Sequence, residues 1–284
     1  MSVIARIKPK GLFKKKMSIQ EIIGYTNLSY GVCDENYRLI ENEIAKHTLL
    51  YDNAKPARGI DISMDEFDVV LQLSLPTTPS EIHLFYNTIQ LLCNLYKVTT
   101  YIREEEKVHI KENEKFIRYD IEGSIEGLKD IESKIQKNTY QRFEIFGIYN
   151  PISIGINEIN KFHHDLNRFE EYLHSTQSLD VYYAVPKVYK VHDRLVGIYA
   201  IGANIPSVIP KEPYIILNQI QGIHEWYVMV QEGKTIPYND FINNVSNANY
   251  YDANHVIITL NETQIDDLVA KYEVKIYSIE DVYG

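Results

Sequence analysis

The chain has 284 residues, of which 45% are hydrophobic and 24% are charged. This composition is typical of a folded globular protein and excludes a wholly disordered chain, which would have fewer apolar residues and more net charge. The formal net charge of −10 disfavours a nucleic-acid binder, because phosphate contacts require a positive face. The same charge favours a cationic partner, so we expect any protein partner to be basic.

The cysteines and the apolar runs restrict the environment of the protein. Cys33 and Cys93 form neither a disulfide framework nor a zinc-binding spacing. No apolar run approaches the roughly 20 residues of a membrane span, and the N-terminal apolar stretch is too short for a signal-peptide core. We therefore expect a cytoplasmic protein that does not enter a membrane.

The N-terminal region predicts weakly patterned elements. Residues 2–7 are expected to form an edge strand, followed by lysines that are typical of a solvated turn. Ser18 is expected to cap a short helix through a capping box, and Gly24 to end it. The polar segment 25–55 predicts loops around one short helix.

A strand–helix–strand unit follows at residues 68–102. Alternating apolar residues predict a strand at 68–75, and a helix is expected from Pro79 to Tyr96. The helix carries one apolar stripe, formed by Ile82, Phe85, Ile89, Leu92 and Tyr96. Charged turns then suggest three strands between residues 98 and 121, a polar helix at 123–137 and a strand at 143–149.

The second half is richer in strands. One apolar stripe predicts a helix over residues 157–174. The elements expected after it are a hairpin with its turn at His192–Asp193, strands at 214–217 and 223–230, a helix at 239–245, and a second strand–helix–strand unit at 255–277. The sequence therefore predicts an α+β protein with two lobes, 1–150 and 151–284. Each lobe would have a mixed, mostly antiparallel sheet with packed helices and one strand–helix–strand unit.

No motif predicts catalysis, a cofactor or a metal. The chain has no Gly-x-Ser-x-Gly elbow and no phosphate-binding loop. His163, Glu170 and His174 lie at helical spacing, but no second ligand motif accompanies them, and a solvated helix face explains the same residues. We expect no catalytic residues, no metal and no cofactor.

Two regions are candidates for binding. Arg58 precedes a buried strand, where it would anchor an acid or ligand or form a structural ion pair. The segment around the only Trp, together with a Tyr pair, is a candidate recognition surface, although Trp226 would equally serve as a core anchor. The residues of this surface are Tyr182, Tyr183, His224, Glu225, Trp226 and Tyr227.

Four segments carry a family resemblance. They are Ala-Arg-Gly-Ile from Ala57, Val-Leu-Gln-Leu-Ser-Leu-Pro-Thr-Thr from Val70, Pro-Tyr-Ile-Ile-Leu from Pro213 and Trp-Tyr-Val-Met-Val from Trp226. In this order they resemble a family of uncharacterised bacterial proteins of similar length, known only as a domain of unknown function. The resemblance implies a bacterial cytosolic protein and supplies no catalytic residues.

Two functions remain open. The first is a non-enzymatic module that binds another protein, because the chain is acidic, lacks motifs and holds 23 tyrosines. An immunity- or antitoxin-like factor that caps a basic toxin surface is one form of it. The second is an enzyme or small-molecule binder with a pocket between the two lobes, where Arg58, His224, Glu225 and Trp226 would converge.

Overall fold

The structure is a computed structural model that describes residues 2–9, 17–34, 37–218, 220–231, 233–276 and 279–281. The chain divides into two compact units, Met1–Ser178 and Leu179–Gly284. Both combine mostly antiparallel sheets with packed helices, so the predicted α+β class is confirmed. The sequence placed a boundary after residue 150, whereas the hairpin and the two helices around and after that point belong to the first unit.

The first unit combines an eight-stranded sheet, a two-stranded sheet and several helices. Its helices are α1 (Ile19–Thr26), α2 (Pro79–Leu95), α3 (Asn113–Gln136), α4 (Ile156–Phe162) and α5 (Leu166–Gln177). Its strands are β1 (Ser2–Ile7), β2 (Ser29–Cys33), β3 (Leu39–Glu41), β4 (His47–Tyr51), β5 (Ile60–Asp65), β6 (Asp68–Ser74), β7 (Thr100–Arg103), β8 (Glu106–His109), β9 (Phe143–Phe146) and β10 (Pro151–Ile154).

Strand β1 lies inside the large sheet rather than at its edge, which corrects the prediction. The strand order is β3-β2-β4-β5-β6-β1-β7-β8, and β1 is antiparallel to both β6 and β7. Strands β6 and β7 are therefore parallel to each other, and α2 connects them as a crossover. The predicted first strand–helix–strand unit is confirmed, with β1 inserted between its two strands.

Three predictions about local structure in this unit are wrong. The segment 25–55 forms strands β2, β3 and β4, because pairing with the sheet compensates for their weak apolar pattern. Helix α1 continues through Gly24 and ends at Thr26, and Asn27 caps it in the left-handed conformation. The residues expected to form a third strand before residue 121 are the start of α3. The buried face of this helix includes the polar residues Asp120 and Ser124, so its apolar residues do not show a clear helical period.

The helix predicted over residues 157–174 is broken. His163 has φ 48°, a left-handed conformation that interrupts the helix and separates α4 from α5. The apolar stripe continues across the break, because Phe162, Phe169 and Leu173 are all buried in one core. The line of His163, Glu170 and His174 expected on a single helix face therefore does not exist.

A buried ion pair links α2, β7 and α3 in the first unit. Arg103 Nη2 donates to Asp120 Oδ1 at 2.5 Å, and Tyr86 Oη donates to Asp120 Oδ2 at 2.5 Å. The Arg103 side chain is 11% exposed and that of Asp120 is 1% exposed. Burial raises the pKa of Asp120 against the opposing effects of its hydrogen bonds and of the Arg103 charge.

The second unit contains a four-stranded sheet, β11-β14-β18-β17, and a five-stranded sheet, β16-β15-β13-β12-β19. Its helices are α6 (Tyr238–Asn244) and α7 (Glu262–Tyr272). Its strands are β11 (Tyr182–Tyr183), β12 (Lys187–Val191), β13 (Arg194–Ala200), β14 (Ser207–Pro210), β15 (Ile223–Gln231), β16 (Lys234–Pro237), β17 (Ala248–Tyr250), β18 (His255–Ile258) and β19 (Ile279–Asp281).

The predicted hairpin at His192–Asp193 is confirmed as β12 and β13. The strand expected at 214–217 is wrong, because Ile216–Asn218 forms a 3₁₀ turn in which Leu217 has φ 57°. The last strand–helix–strand unit consists of β18, α7 and a single β-bridge from Val274 to Thr235. Helices α6 and α7 cover one core of the unit, which also holds side chains of β13, β15 and β18.

Candidate functional site

A buried polar cluster lies in the second unit, around His255 at the start of β18. His255 Nδ1 lies 2.8 Å from Asp252 Oδ1, and the same oxygen accepts a hydrogen bond from the His255 backbone amide at 2.7 Å. On the other side of the ring, His255 Nε2 lies 2.9 Å from the Tyr183 hydroxyl and 3.1 Å from the Tyr214 hydroxyl. Asp252 and His255 are completely buried.

This Asp252–His255–Tyr cluster encloses both nitrogens of the imidazole ring. Asp252 Oδ1 accepts from the backbone amides of Asn254 and His255 and faces His255 Nδ1, while the Tyr183 and Tyr214 hydroxyls face His255 Nε2. Burial raises the pKa of Tyr183 well above its ordinary value, so this phenol stays protonated and serves as a donor. The adjoining cavity measures only about 10 Å³, which is the space of one water molecule. The cluster is therefore suited to holding the strands and the loop of Tyr214 together, and it offers no room for a substrate.

The tyrosine pair of the predicted surface separates in the structure. Tyr183 is buried in the Asp252–His255–Tyr cluster, whereas Tyr182 is half-buried and packs against the core of the second unit. Adjacent residues of a strand point to opposite faces, so the two rings do not form one surface patch.

The four candidate residues of β15 also point alternately to the two faces of the strand. Glu225 accepts from Arg194 Nη1 at 2.9 Å and from the Tyr227 hydroxyl at 2.6 Å. The hydrogen bonds from Tyr227 and then Arg194 lower the pKa of Glu225, while burial and then Glu225 raise the pKa of Tyr227 to about 12. His224 is exposed.

Trp226 is half-buried on the face of β15 opposite to Glu225. Its ring packs over Gly197 of the neighbouring strand so closely that a Cβ at that position would overlap it. The ring centroid also lies 6.0 Å from that of Tyr199. These contacts are those of a side chain packed against the core of the second unit.

Arg58 lies in the first unit and binds main-chain groups. Its Nε donates to the Phe146 carbonyl at 3.3 Å and its Nη1 to the Pro76 carbonyl at 2.9 Å. Burial lowers the pKa of Arg58, although the charge of Glu81 acts in the opposite direction. The backbone amides of Arg58 and Gly59 donate to Glu81 Oε1 at 2.9 and 2.6 Å. The predicted convergence of Arg58 with His224, Glu225 and Trp226 between two lobes stays a prediction.

A larger cavity, of about 400 Å³, lies beside the first turns of α2. We refer to it as the α2 cleft. Its lining residues come from the turn after β4 and from one face of α2, and they are Asp52, Lys55, Pro79, Ser80, Glu81, His83, Leu84 and Asn87. Its volume falls in the range of small-molecule sites, and its lining includes the charged side chains of Asp52, Lys55 and Glu81.

The sequence did not point to either cluster. Asp252 and His255 stand in an Asp-x-x-His spacing just before a strand, and this spacing is the only local signal for their contact. Ser80, His83 and Asn87 recur at intervals of three and four on the helix face opposite the apolar stripe, a pattern that is also typical of a solvated face. Their convergence with Asp52 depends on tertiary packing.

The described residues contain no group of three or more His, Cys, Asp or Glu side chains placed to hold a metal ion. No helix among them combines the length and apolar character needed to cross a membrane. Of the N-terminal lysines, Lys8 lies 3.7 Å from Asp68, and those at positions 10–16 lie outside the described residues.

The architecture defines an α+β protein of two compact units. A family model described as Domain of unknown function (DUF4299) matches residues 2–268, and the chain belongs to this family. The resemblance to a family of unknown function is thereby confirmed. No curated protein and no solved structure matches the chain.

Proposed function

We propose that this protein acts by binding a basic protein through the acidic surface of its second unit. The observation that carries the proposal is the charge of that unit. Residues 179–284 hold 13 Asp and Glu side chains against 7 Lys and Arg. A unit with this net negative charge attracts a positively charged partner and accelerates its association.

Helix α7 is the element on which the proposal centres. It exposes the carboxylates of Glu262, Asp266 and Asp267. The ion pairs in the described part of the unit are Arg194–Glu225 and His255–Asp252, and neither neutralises α7. Glu262 and Asp266 are four residues apart, and like charges at this spacing destabilise a helix by about 0.2–0.5 kcal/mol. A cationic partner would relieve this repulsion, so binding would also stabilise the helix.

An immunity- or antitoxin-like factor is one form of this function. Such a factor blocks a basic toxin by covering its cationic surface, and charge complementarity supplies both fast association and selectivity. Because exposed charges are screened by salt, the complex would weaken sharply as the ionic strength rises.

The experiment is a tagged pull-down from the native host at low and at moderate salt, with the co-purifying proteins identified. We expect a stoichiometric basic protein that is lost at the higher salt concentration. The test variant neutralises α7 through Glu262→Gln, Asp266→Asn and Asp267→Asn. The matched control makes the same change in net charge on exposed residues of the first unit, through Glu105→Gln, Glu114→Gln and Glu122→Gln.

The α7 variant is expected to lose the partner, and the control variant to retain it. Equal weakening by both variants would mean that overall charge, rather than α7, attracts the partner. A complex that is indifferent to salt, or a protein that purifies without any partner, would refute the proposal.

A further inference from the structure

The α2 cleft in the first unit presents opposite charges on a rigid frame. The Lys55 amide donates to the Asp52 carbonyl at 3.0 Å, so the two residues close one hydrogen-bonded turn. Both side chains line the cleft, with Ser80, His83 and Asn87 facing them from α2. An acidic group and a basic group therefore stand on the rim of one cavity.

The polar groups at the floor of the cleft already have hydrogen-bond partners within the protein. Glu81 Oε1 accepts from two backbone amides, and Glu81 Oε2 accepts from the Thr77 hydroxyl. The first amides of α2 are also occupied, since the Ser80 amide donates to Glu170 Oε2 at 2.8 Å and the Glu81 amide donates to Thr78. Recognition of a ligand would thus depend on the rim side chains and not on the helix N-terminus.

The rim side chains retain hydrogen-bonding capacity. Within the described part of the chain, Lys55 Nζ donates to the Ser80 hydroxyl alone, at a long distance of 3.4 Å. Asp52 Oδ1 accepts one bond, from the Ala54 amide at 2.9 Å. A carboxylate offers about four acceptor positions and an ammonium three donors, so both groups have capacity for a ligand.

The half-buried imidazole of His174 interacts with these charges. Its Nε2 atom is buried and has no hydrogen-bond partner among the described residues. Burial lowers the pKa of His174, and the charges of Glu170, Lys55, Glu81 and Asp52 all act on this ring. His174 is not among the residues that line the α2 cleft, so a charged ligand there would act on the ring through its charge and not by direct contact.

We propose that the α2 cleft binds a small zwitterion of the amino-acid type, whose carboxylate meets Lys55 and Ser80 and whose ammonium group meets Asp52. A simple cation would leave Lys55 unmatched. A phosphate would find a single lysine beside the carboxylates of Asp52 and Glu81, with the helix amides already occupied. A zwitterion matches both charges of the rim, and it requires no partner protein, so this site is independent of the acidic surface on α7.

The test measures binding of each of the twenty free amino acids to the full-length protein by thermal shift and calorimetry. We expect at least one to bind, while its amide, its N-acetyl derivative and inorganic phosphate bind at least about tenfold more weakly, because each lacks one of the two charges. The imidazole nitrogen resonances of His174 should shift on binding of the amino acid.

Two variants locate the binding site, and a third serves as the control. Asp52→Asn keeps the acceptor for the Ala54 amide and removes the charge, and Lys55→Met removes the ammonium group from an exposed side chain. Each is expected to weaken binding at least about tenfold without changing the melting temperature of the free protein. The control, Lys107→Met, removes an exposed lysine from β8 and should bind like the unmodified protein.

Three outcomes would overturn the proposal. One is the absence of binding for all twenty amino acids at concentrations up to about 10 mM. A dissociation constant above this value would be too weak for useful recognition. Another is binding that the Asp52 and Lys55 variants leave unchanged. The third is tighter binding of phosphate than of any amino acid, which would identify an anion site.

Discussion

Replacing Arg103 with methionine is expected to lower the free energy of unfolding of the first unit by about 3–5 kcal/mol at pH 7. Of the two side chains that donate to the buried Asp120 carboxylate, Arg103 and Tyr86, the change leaves only Tyr86. Two unit charges about 4 Å apart attract by about 4 kcal/mol at an effective dielectric constant of about 20. Stacking of the guanidinium on the Phe116 and Tyr119 rings, at 4.9 and 5.5 Å, is also lost.

The loss should depend on pH in a defined direction. Burial already raises the pKa of Asp120 in the presence of Arg103, and removal of the guanidinium raises it further. The folded variant then takes up a proton at a pH at which the unfolded carboxylate, with a pKa of about 3.9, is still ionised. The variant therefore gains stability relative to the unmodified protein as the pH falls from 7 toward 4, and the difference between them is largest at neutral pH.

Urea unfolding followed by circular dichroism at pH 7 and pH 5 measures this difference. Fluorescence of Trp226, the only tryptophan, reports the second unit separately and should not change. The double variant Arg103→Met/Asp120→Asn removes the stranded charge and should recover about 1–2 kcal/mol. A loss below about 1 kcal/mol, or a loss that the double variant does not recover, would refute the reasoning that Asp120 depends on Arg103.

Three further changes test local contacts. Asp252→Asn removes the carboxylate charge beside His255 while the side-chain oxygen can keep its bonds from the backbone amides, so the imidazole nitrogen chemical shifts of His255 should change; unchanged shifts would contradict the contact between the two side chains. Gly197→Ala adds a Cβ that overlaps the Trp226 ring, with an expected loss of about 1–3 kcal/mol and a shifted emission maximum; unaltered emission would mean that the ring does not pack there. Thr78→Ala removes the N-cap of α2 and should cost about 1 kcal/mol in the same urea titration; no loss would show that the cap is dispensable.

Elements with a strong local pattern were predictable from the sequence. Helix α2 has a regular apolar stripe and a Thr-Pro start, and strand β6 alternates apolar and polar residues; both lie close to where the sequence placed them. The central position of β1 was not predictable, because it follows from the crossover between β6 and β7 rather than from any property of residues 2–7.

The remaining errors have the same physical origin. Helix α3 buries Asp120 against Arg103 of β7. A charged residue that the sequence pattern assigns to the surface therefore lies in the core. The candidate sites were unpredictable for a related reason. Tyr183 meets His255, and Lys55 meets Ser80, only because distant segments fold together. The spacing of residues along the sequence does not reveal such contacts.

The inserted position of β1 has a consequence for how the protein is made. Ser2 pairs with Ser74 and Ala5 pairs with Arg103, so β1 finds its second neighbour only when residue 103 has been synthesised. Until then one hydrogen-bonding edge of β1 stays open even after it has paired with β6, which is a hazard for misassociation. The same geometry should allow the first unit to be assembled from two pieces. A synthetic β1 peptide would bind between β6 and β7 of a chain that lacks this strand and so complete the sheet.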